Sequence, residues 1–383
     1  MKRILLTSIL VILPLSLLLS QSKESKSPLL LESGNTTVKI GGTVRAVAFQ
    51  DFGGTIMHYD FRNSTMSAPT SWDLKSRNSI DASASRLSLK FSHKTENMGN
   101  IDFFIETDFR GANDAFRIRH AYVTFKGFIF GQTWSFMTDT PANAPTIDIQ
   151  NVNSRTFFRT PLIGYIGNLG KGWTLGVSLE LPQVKLTTIT GIKAVNQKVP
   201  DLPVYIQYKG TKGHIKLTGA VRSLQYGMTA TQYIQTETGL GVQLSGTFKP
   251  VKGLTLYSQG IYGKGIARYI NDLAAQSMDL LPVAEGGLST MPMYGISLGA
   301  KLELSKTVYA SSTFSIAGLE ENTGTYSTRE NDFFKGNYFS ATLFWNTYKN
   351  LTMAWEYIHG TRINTNDVKG NANRAQFMVL YSF

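Results

Sequence analysis

Hydrophobic and polar side chains alternate with a period of two along most of this chain. Alternation over about ten residues predicts β-strands with one apolar face and one polar face. Stretches rich in Gly, Pro, Asn, Thr and Ser separate these segments and predict turns and loops. We predict about sixteen strands, at 38–51, 80–93, 101–110, 116–125, 128–134, 155–169, 172–181, 203–209, 213–223, 235–249, 252–264, 291–304, 306–318, 333–346, 350–361 and 372–383.

The connections between the predicted strands alternate between short and long. The short ones include 126–127 and 209–213, whereas the long ones include 52–78 and 134–154. Short turns at one rim and long loops at the other are typical of a transmembrane antiparallel β-barrel, whose short turns lie in the periplasm. A soluble β-sandwich or jelly roll is the alternative, but that architecture gives no reason for the alternation.

The chain divides into three predicted parts. Residues 1–20 begin with Lys2 and Arg3 and continue as an apolar run, which predicts a secretory signal peptide. A short polar lead follows at 21–37, and 38–383 forms the barrel domain. Loss of the signal peptide would lower the formal net charge from +12 to +10, so the basic excess belongs to the exported part. We expect the protein in the outer membrane of a Gram-negative bacterium, surrounded by lipid.

Composition and motifs argue against an enzyme. No cysteine is present, which excludes disulfides, thiolate metal sites and thiol nucleophiles. The five histidines are scattered without metal-ligand spacing, and no G-x-S-x-G motif appears. A barrel lipase or protease remains possible at this stage, because catalytic triads assemble in space. We expect no cofactor, and the spread of basic residues along many strands argues against nucleic-acid binding.

Three stretches carry a family resemblance. They are VKIGGTVRAVAFQDFGG at 38–54, RLSLKFSHKTENMGNIDFFIETDF at 86–109 and FRIRHAYVTFKGFIFGQTWSFMTD at 116–139. Together they resemble the DcaP-like family of trimeric outer-membrane porins. The resemblance implies a sixteen-stranded barrel, a homotrimer, an inward-folded third loop and a preference for small anionic solutes such as dicarboxylates.

Both ends of the chain bear on that resemblance. The lead at 21–37 is too short for the N-terminal coiled coil that some members carry, which leaves trimerisation to the barrel walls. The last strand ends in Phe383, which is similar to the C-terminal signature that the outer-membrane barrel assembly machinery recognises.

Charged residues around the loop 134–154 predict a pore constriction. If the apolar faces contact lipid, the basic residues of the strands face the lumen. Opposed charges across an opening create a field that selects ions by sign. Arginine suits this role because it stays charged and holds carboxylates through two parallel hydrogen bonds. The predicted solute path contains Arg45, Arg86, Arg117, Arg119, Arg155 and Arg159, which face Asp139 and Asp148.

Two alternatives apply to this site. Several of the arginines could pair permanently with Glu106 or Asp108 and stiffen the wall without touching a solute. The loop could also be an ordinary surface loop in which the aspartates are turn residues. We predict a passive diffusion channel for small hydrophilic, preferentially anionic solutes. The alternative function is a non-conducting barrel whose long extracellular loops bind a surface partner.

Overall fold

The computed structural model describes residues 29–56, 59–187, 189–274, 276–284, 286–320 and 331–383. The predicted signal peptide and residues 21–28 of the lead lie outside the described residues. The rest of the lead forms a short strand, Leu30–Ser33, which pairs with the start of the first barrel strand. That barrel strand begins at Thr36, two residues before the predicted position.

Sixteen antiparallel strands form a closed barrel, which confirms the predicted fold class. The last strand pairs with the first, so the sheet has no free edge at the seam. The strands are β1 (Thr36–Phe52), β2 (Ser76–Asp81 and Arg86–Thr95), β3 (Gly99–Asp108), β4 (Arg117–Phe125), β5 (Phe128–Trp134), β6 (Arg159–Gly170), β7 (Trp173–Glu180), β8 (Leu202–Gly210), β9 (Gly213–Met228), β10 (Tyr233–Phe248), β11 (Leu254–Lys264), β12 (Pro292–Glu303), β13 (Val308–Leu319), β14 (Phe333–Tyr348), β15 (Leu351–Asn364) and β16 (Lys369–Ser382).

Side chains along each strand alternate between the two surfaces of the barrel. In β9, for example, Leu217 and Val221 are exposed on the outside, whereas Lys216, Thr218 and Arg222 are buried inside. The outer surface is therefore apolar and the inner surface is polar, which suits a barrel surrounded by lipid. No helix among the described residues is long and apolar enough to span a bilayer.

Strand β2 is interrupted, although the sequence predicts one continuous strand over 80–93. The carboxylate of Asp81 accepts hydrogen bonds from the backbone N–H and the hydroxyl of Ser83, at 2.8 and 2.6 Å. This local turn competes with sheet pairing, as Asp and Ser side chains commonly do. Pro161, by contrast, does not interrupt β6, because it is the third residue of that strand and its side chain faces outward.

The seam of the barrel depends on a glycine. Phe383 exchanges two backbone hydrogen bonds with Gly42, at 3.0 and 3.1 Å. A Cβ atom at position 42 would lie 2.7 Å from the Phe383 ring and 2.5 Å from the Arg86 carbonyl oxygen. Only glycine fits here without displacing the terminal residue.

The long connection between β5 and β6, residues 135–158 and called loop 3 below, runs among the inward-facing side chains of the barrel. Lys216 of β9 donates to the carbonyls of Phe136 and Thr138, at 2.8 and 2.9 Å. On other strands, Gln243 of β10 donates to Met137, and Asn153 of loop 3 donates to the carbonyl of residue 336 in β14. These bonds fix loop 3 to widely separated strands.

Two further loops pack against loop 3 inside the barrel mouth. Loop 1 (53–75) contributes Ile56, Phe61 and Met66 to an apolar cluster with Val152 of loop 3. Loop 6 (265–291) contributes the buried residues Ile266, Tyr269, Ile270 and Leu273 to a second cluster. The core of this protein therefore lies within the lumen, where the three loops meet.

Candidate pore constriction

Three arginines share two carboxylates on the inner wall formed by β2, β3 and β4. Arg117 holds Asp108 through two parallel bonds, at 2.9 and 2.7 Å. Arg119 bonds to Glu106 at 2.6 Å and to Asp108 at 2.9 Å. Arg86 lies 3.8 Å from Glu106. These five residues are called the wall cluster below. Arginines pair here with Glu106 and Asp108, as the first alternative in the sequence analysis describes. The cluster nevertheless contains one more arginine than carboxylates.

A β-bulge orients Arg119. Glu106 pairs with His120 and Thr107 pairs with Ile118, so Arg119 is the additional residue on β4. The side chains of Arg119 and His120 are therefore both buried, although they are neighbours in a strand. Bulges re-aim side chains in this way. Strict alternation would place His120 on the outer surface, and no feature of the β4 sequence alone signals the bulge.

Arg155, in loop 3, and Arg159, the first residue of β6, stack on aromatic rings. The Arg155 guanidinium lies 3.8 Å from the Phe157 ring centre, and that of Arg159 lies 4.6 Å from the Trp134 ring centre. Within the described residues neither arginine forms an ion pair with a carboxylate, and one terminal nitrogen of Arg159 has no hydrogen-bond partner. Stacked guanidinium groups keep their in-plane donors directed sideways, where an anion can accept them.

A cavity of about 360 Å³ opens between the wall cluster and loops 1, 3 and 6. Its charged lining consists of six basic side chains and one acidic side chain: Arg62, Arg110, Arg117, Arg119, Arg159, Lys185 and Asp60. Clefts lined by one sign of charge concentrate ions of the opposite sign. The site predictions do not include Arg62 and Lys185, because they lie on long loops where periodicity does not indicate which residues turn inward.

Asp139 lies apart from this cavity, against the wall of β9 and β10. Its carboxylate bonds to His214 at 2.9 Å and accepts a hydrogen bond from Ser245 at 2.6 Å. Burial alone would raise the pKa of Asp139, but the hydrogen bonds from His214 and Ser245 lower it below its ordinary value. Asp139 is thus an ionised anchor for the start of loop 3.

Asp148 is fully enclosed where loops 1 and 3 meet. Its carboxyl group accepts backbone N–H bonds from Phe61 and Gln150, each at 3.2 Å, and bonds to the Tyr338 hydroxyl at 3.3 Å. Burial and the nearby acids Asp60 and Glu356 raise the pKa of Asp148 to about 8. At neutral pH this group is therefore mostly protonated, and it adds little negative charge to the lumen.

Arg45 also binds loop 3. Its guanidinium donates to the carbonyl of Ile147, and Glu356 of β15 accepts the backbone N–H groups of Ile147 and Asp148, at 2.6 and 3.0 Å. Of the eight predicted path residues, the structure brings Arg117, Arg119 and Arg159 to the cavity. Arg86 joins the wall cluster, and Arg45, Asp139 and Asp148 hold loop 3 in place. Arg155 does not line the cavity and stacks on Phe157 within loop 3.

A closed barrel with an apolar outer surface and a charged lumen is a transmembrane β-barrel of the outer-membrane type. The porin subfamily model matches residues 33–378, and the chain belongs to this family of outer-membrane channels. The family and the fold indicate a channel and not an enzyme. In the described part of the chain, no group of three or more His, Asp or Glu side chains could hold a metal ion.

Several solved structures share the fold. The outer membrane channel DcaP of Acinetobacter baumannii has 21% identity and a TM-score of 0.81, over 93% of this chain and 100% of that one. The anion-selective porin from Comamonas acidovorans has 12% identity and a TM-score of 0.60, over 91% and 100%. The trimer form of OmpT from Vibrio cholerae has 11% identity and a TM-score of 0.56, over 91% and 100%. No curated protein sequence matches the chain. The resemblance to DcaP-like porins inferred from the sequence is confirmed at the level of the porin family and the fold.

Proposed function

We propose that this porin passes small hydrophilic anions in preference to cations, with dicarboxylates as the favoured class. The observation that supports this most is the cavity beside loop 3, where six basic side chains face one acidic one. One structural relative, the porin from Comamonas acidovorans, is anion-selective, which agrees with this proposal.

The charge balance of the wall cluster supports the selectivity. Asp108 and Glu106 neutralise two of the three arginines, so one positive charge remains at the wall. Arg159 adds a second positive charge, and among the described residues it forms no ion pair with a carboxylate. At an effective dielectric constant near 20, one unit charge a few ångströms from a passing ion contributes a few kcal/mol before screening.

The preference for two carboxylates follows from two separated donors around the same cavity. Arg117 keeps 40% of its side chain exposed while it holds Asp108, and Arg159 lines the same cavity with one buried terminal nitrogen that has no hydrogen-bond partner. A solute with a carboxylate at each end can contact both groups, whereas a monocarboxylate can contact only one. Each contact is a charge-assisted hydrogen bond, the stronger kind.

Flux measurements on reconstituted vesicles test this proposal. We expect a four-carbon dicarboxylate to enter vesicles carrying the porin faster than a diol or a diamine of equal length. Equal flux for all three solutes would show that size alone controls passage. Empty vesicles measure leakage through the lipid. Vesicles with an R159Q variant show how far the dicarboxylate flux depends on Arg159.

Three further features belong to this proposal. We infer that residues 1–20 direct export and that Phe383, bonded at the seam, presents the C-terminal strand to the barrel assembly machinery.

A homotrimer fits the apolar outer walls and the trimer form among the structural relatives. Channels that close in three equal steps in a planar bilayer would support the trimer, and single-step closure would contradict it.

A further inference from the structure

The short turns at the periplasmic end carry lysines that the solute path does not use. The seven turns between consecutive strands lie at 96–98, 126–127, 171–172, 211–212, 249–253, 304–307 and 349–350. Glu96 is the acidic residue in these turns. The lysines, called turn lysines below, are Lys126, Lys171, Lys212, Lys249, Lys252, Lys306 and Lys349, and all seven are exposed.

These lysines have no internal role in the described part of the chain. At this end of the barrel the ion pairs join Lys90 to Asp102 at 3.9 Å and Lys301 to Glu303 at 3.2 Å, and they leave out every turn lysine. The described residues of the long loops, by contrast, carry acidic and basic side chains in similar numbers. The short turns therefore carry a net positive charge that the long loops lack.

Aromatic side chains fix the height of this rim relative to the membrane. An exposed aromatic residue stands beside the lysine in five of the turns: Phe128, Trp173, Tyr208, Phe248 and Tyr348. Aromatic residues on the outer surface of a barrel mark the boundary between hydrocarbon and headgroups. A lysine on a turn of two to five residues cannot extend far beyond that boundary, so its ammonium group lies at the level of the lipid phosphates.

We propose that the turn lysines form a ring that binds anionic phospholipid headgroups of the periplasmic leaflet. Lipid is the partner that fits because the lysines occur in six of the seven turns, around the whole circumference of the barrel. A protein or a soluble polymer would meet one sector of such a ring. Each basic residue near a bilayer adds attraction for anionic lipid, and the effect weakens as salt rises. This inference does not depend on the anion selectivity proposed above.

Native mass spectrometry of the porin extracted from vesicles tests the proposal. The vesicles contain phosphatidylglycerol and phosphatidylcholine in equal amounts. We expect the wild-type protein to retain phosphatidylglycerol in several-fold excess, and the excess to fall as the extraction salt is raised. A K126Q/K171Q/K212Q/K349Q variant should retain the two lipids almost equally.

Four exposed lysines at the opposite end provide a matched control. The K75Q/K193Q/K198Q/K369Q variant loses the same charge and should keep the wild-type excess. Equal retention of both lipids by the wild type, or an equal loss in both variants, would overturn the proposal. So would complete displacement of phosphatidylglycerol by soluble polyglutamate, because that result assigns the ring to an acidic polymer. If the turn variant does not fold, two measurements still test the proposal. The phosphatidylglycerol excess of the wild type should fall with salt, and the control variant should keep that excess.

Discussion

Two clusters inside this barrel pair arginines with carboxylates, but the two clusters differ in the ratio of arginines to carboxylates. In the first, called the buried cluster, Arg222 bonds to Asp201 at 3.0 Å and to Asp279, and Arg268 bonds to Asp201. Two arginines meet two carboxylates there, and all four side chains are at most 4% exposed. In the wall cluster three arginines meet two carboxylates, and the side chain of Arg117 is 40% exposed.

The difference separates a structural role from a functional one. A balanced, buried cluster adds no net charge to the lumen, and its bonds fasten loops 4 (181–201) and 6 to β9. An unbalanced cluster beside a cavity leaves positive charge that a passing solute can reach. The number of arginines in a cluster therefore does not show whether the cluster adds charge to the lumen. The ratio of arginines to nearby carboxylates and the exposure of the arginines do.

The largest effect is expected from breaking the buried cluster. An R222M variant leaves Asp279 without its arginine in a buried site, which should cost about 3–5 kcal/mol of stability. Urea unfolding of the reconstituted barrel measures the loss. An R222M/D279N variant removes both charges and should recover much of it. An R222M barrel as stable as the wild type would show that the cluster does not hold the loops.

The next effect concerns the wall cluster. An R117S/R119S variant leaves Glu106 and Asp108 opposed by Arg86 alone, so the excess charge of the wall changes from positive to negative. We expect the permeability ratio of chloride to potassium to fall roughly tenfold, or about 1.4 kcal/mol. Reversal potentials in a salt gradient measure the ratio.

An E106Q/R119Q variant is the control for that experiment. It removes one charge of each sign from the wall, so the ion preference should stay close to that of the wild type. Unchanged selectivity in R117S/R119S would remove both arginines from the solute path and support the view that they only stiffen the wall.

A smaller effect is expected from the acid that anchors loop 3. Burial raises the pKa of Asp148 to about 8 from its ordinary value of 3.8, so the folded protein binds this proton more tightly than the unfolded chain. The stability that the protonated carboxyl group contributes is fully present near pH 4 and is lost as the pH rises towards 8.

A D148N variant isolates this contribution. The wild type should lose on the order of 1 kcal/mol relative to D148N between pH 4 and pH 8, reduced from the full value by loop relaxation. Hydrogen exchange of peptides from loop 3 follows the change. Parallel pH profiles for the two proteins would show that Asp148 does not titrate in this range.

The smallest effect is expected at Arg159. This side chain has no carboxylate partner in the described residues but stacks on Trp134, so an R159Q variant should lose about 0.5–1 kcal/mol of stability. It removes one charge from the cavity and should lower the chloride preference about threefold. An R159K variant should keep most of the preference. A large loss of stability in R159Q would indicate that the arginine holds the wall together.

The sequence predicts the strands well because the lipid imposes a simple rule on them. Alternation places strands such as 233–248 close to where they occur, since each outward residue must be apolar. It does not predict the bulge at Arg119 or the break in β2, because both depend on the partner strand or on a local turn.

The site is less predictable because it is built from loops. Asp139 and Asp148 look alike in sequence, but one meets His214 on the wall and the other is enclosed by loop 1. Which carboxylate keeps its charge depends on these contacts, and they join residues far apart in the chain. The sequence left open a pairing of the arginines with Glu106 or Asp108, and the structure pairs Arg117 with Asp108.

The most direct measurement is the zero-current potential of the wild-type channel in a planar bilayer with concentrated potassium chloride on one side. If the unbalanced arginines control passage, chloride crosses faster and the dilute compartment becomes negative. A dilute compartment that stays at zero or becomes positive would contradict the account.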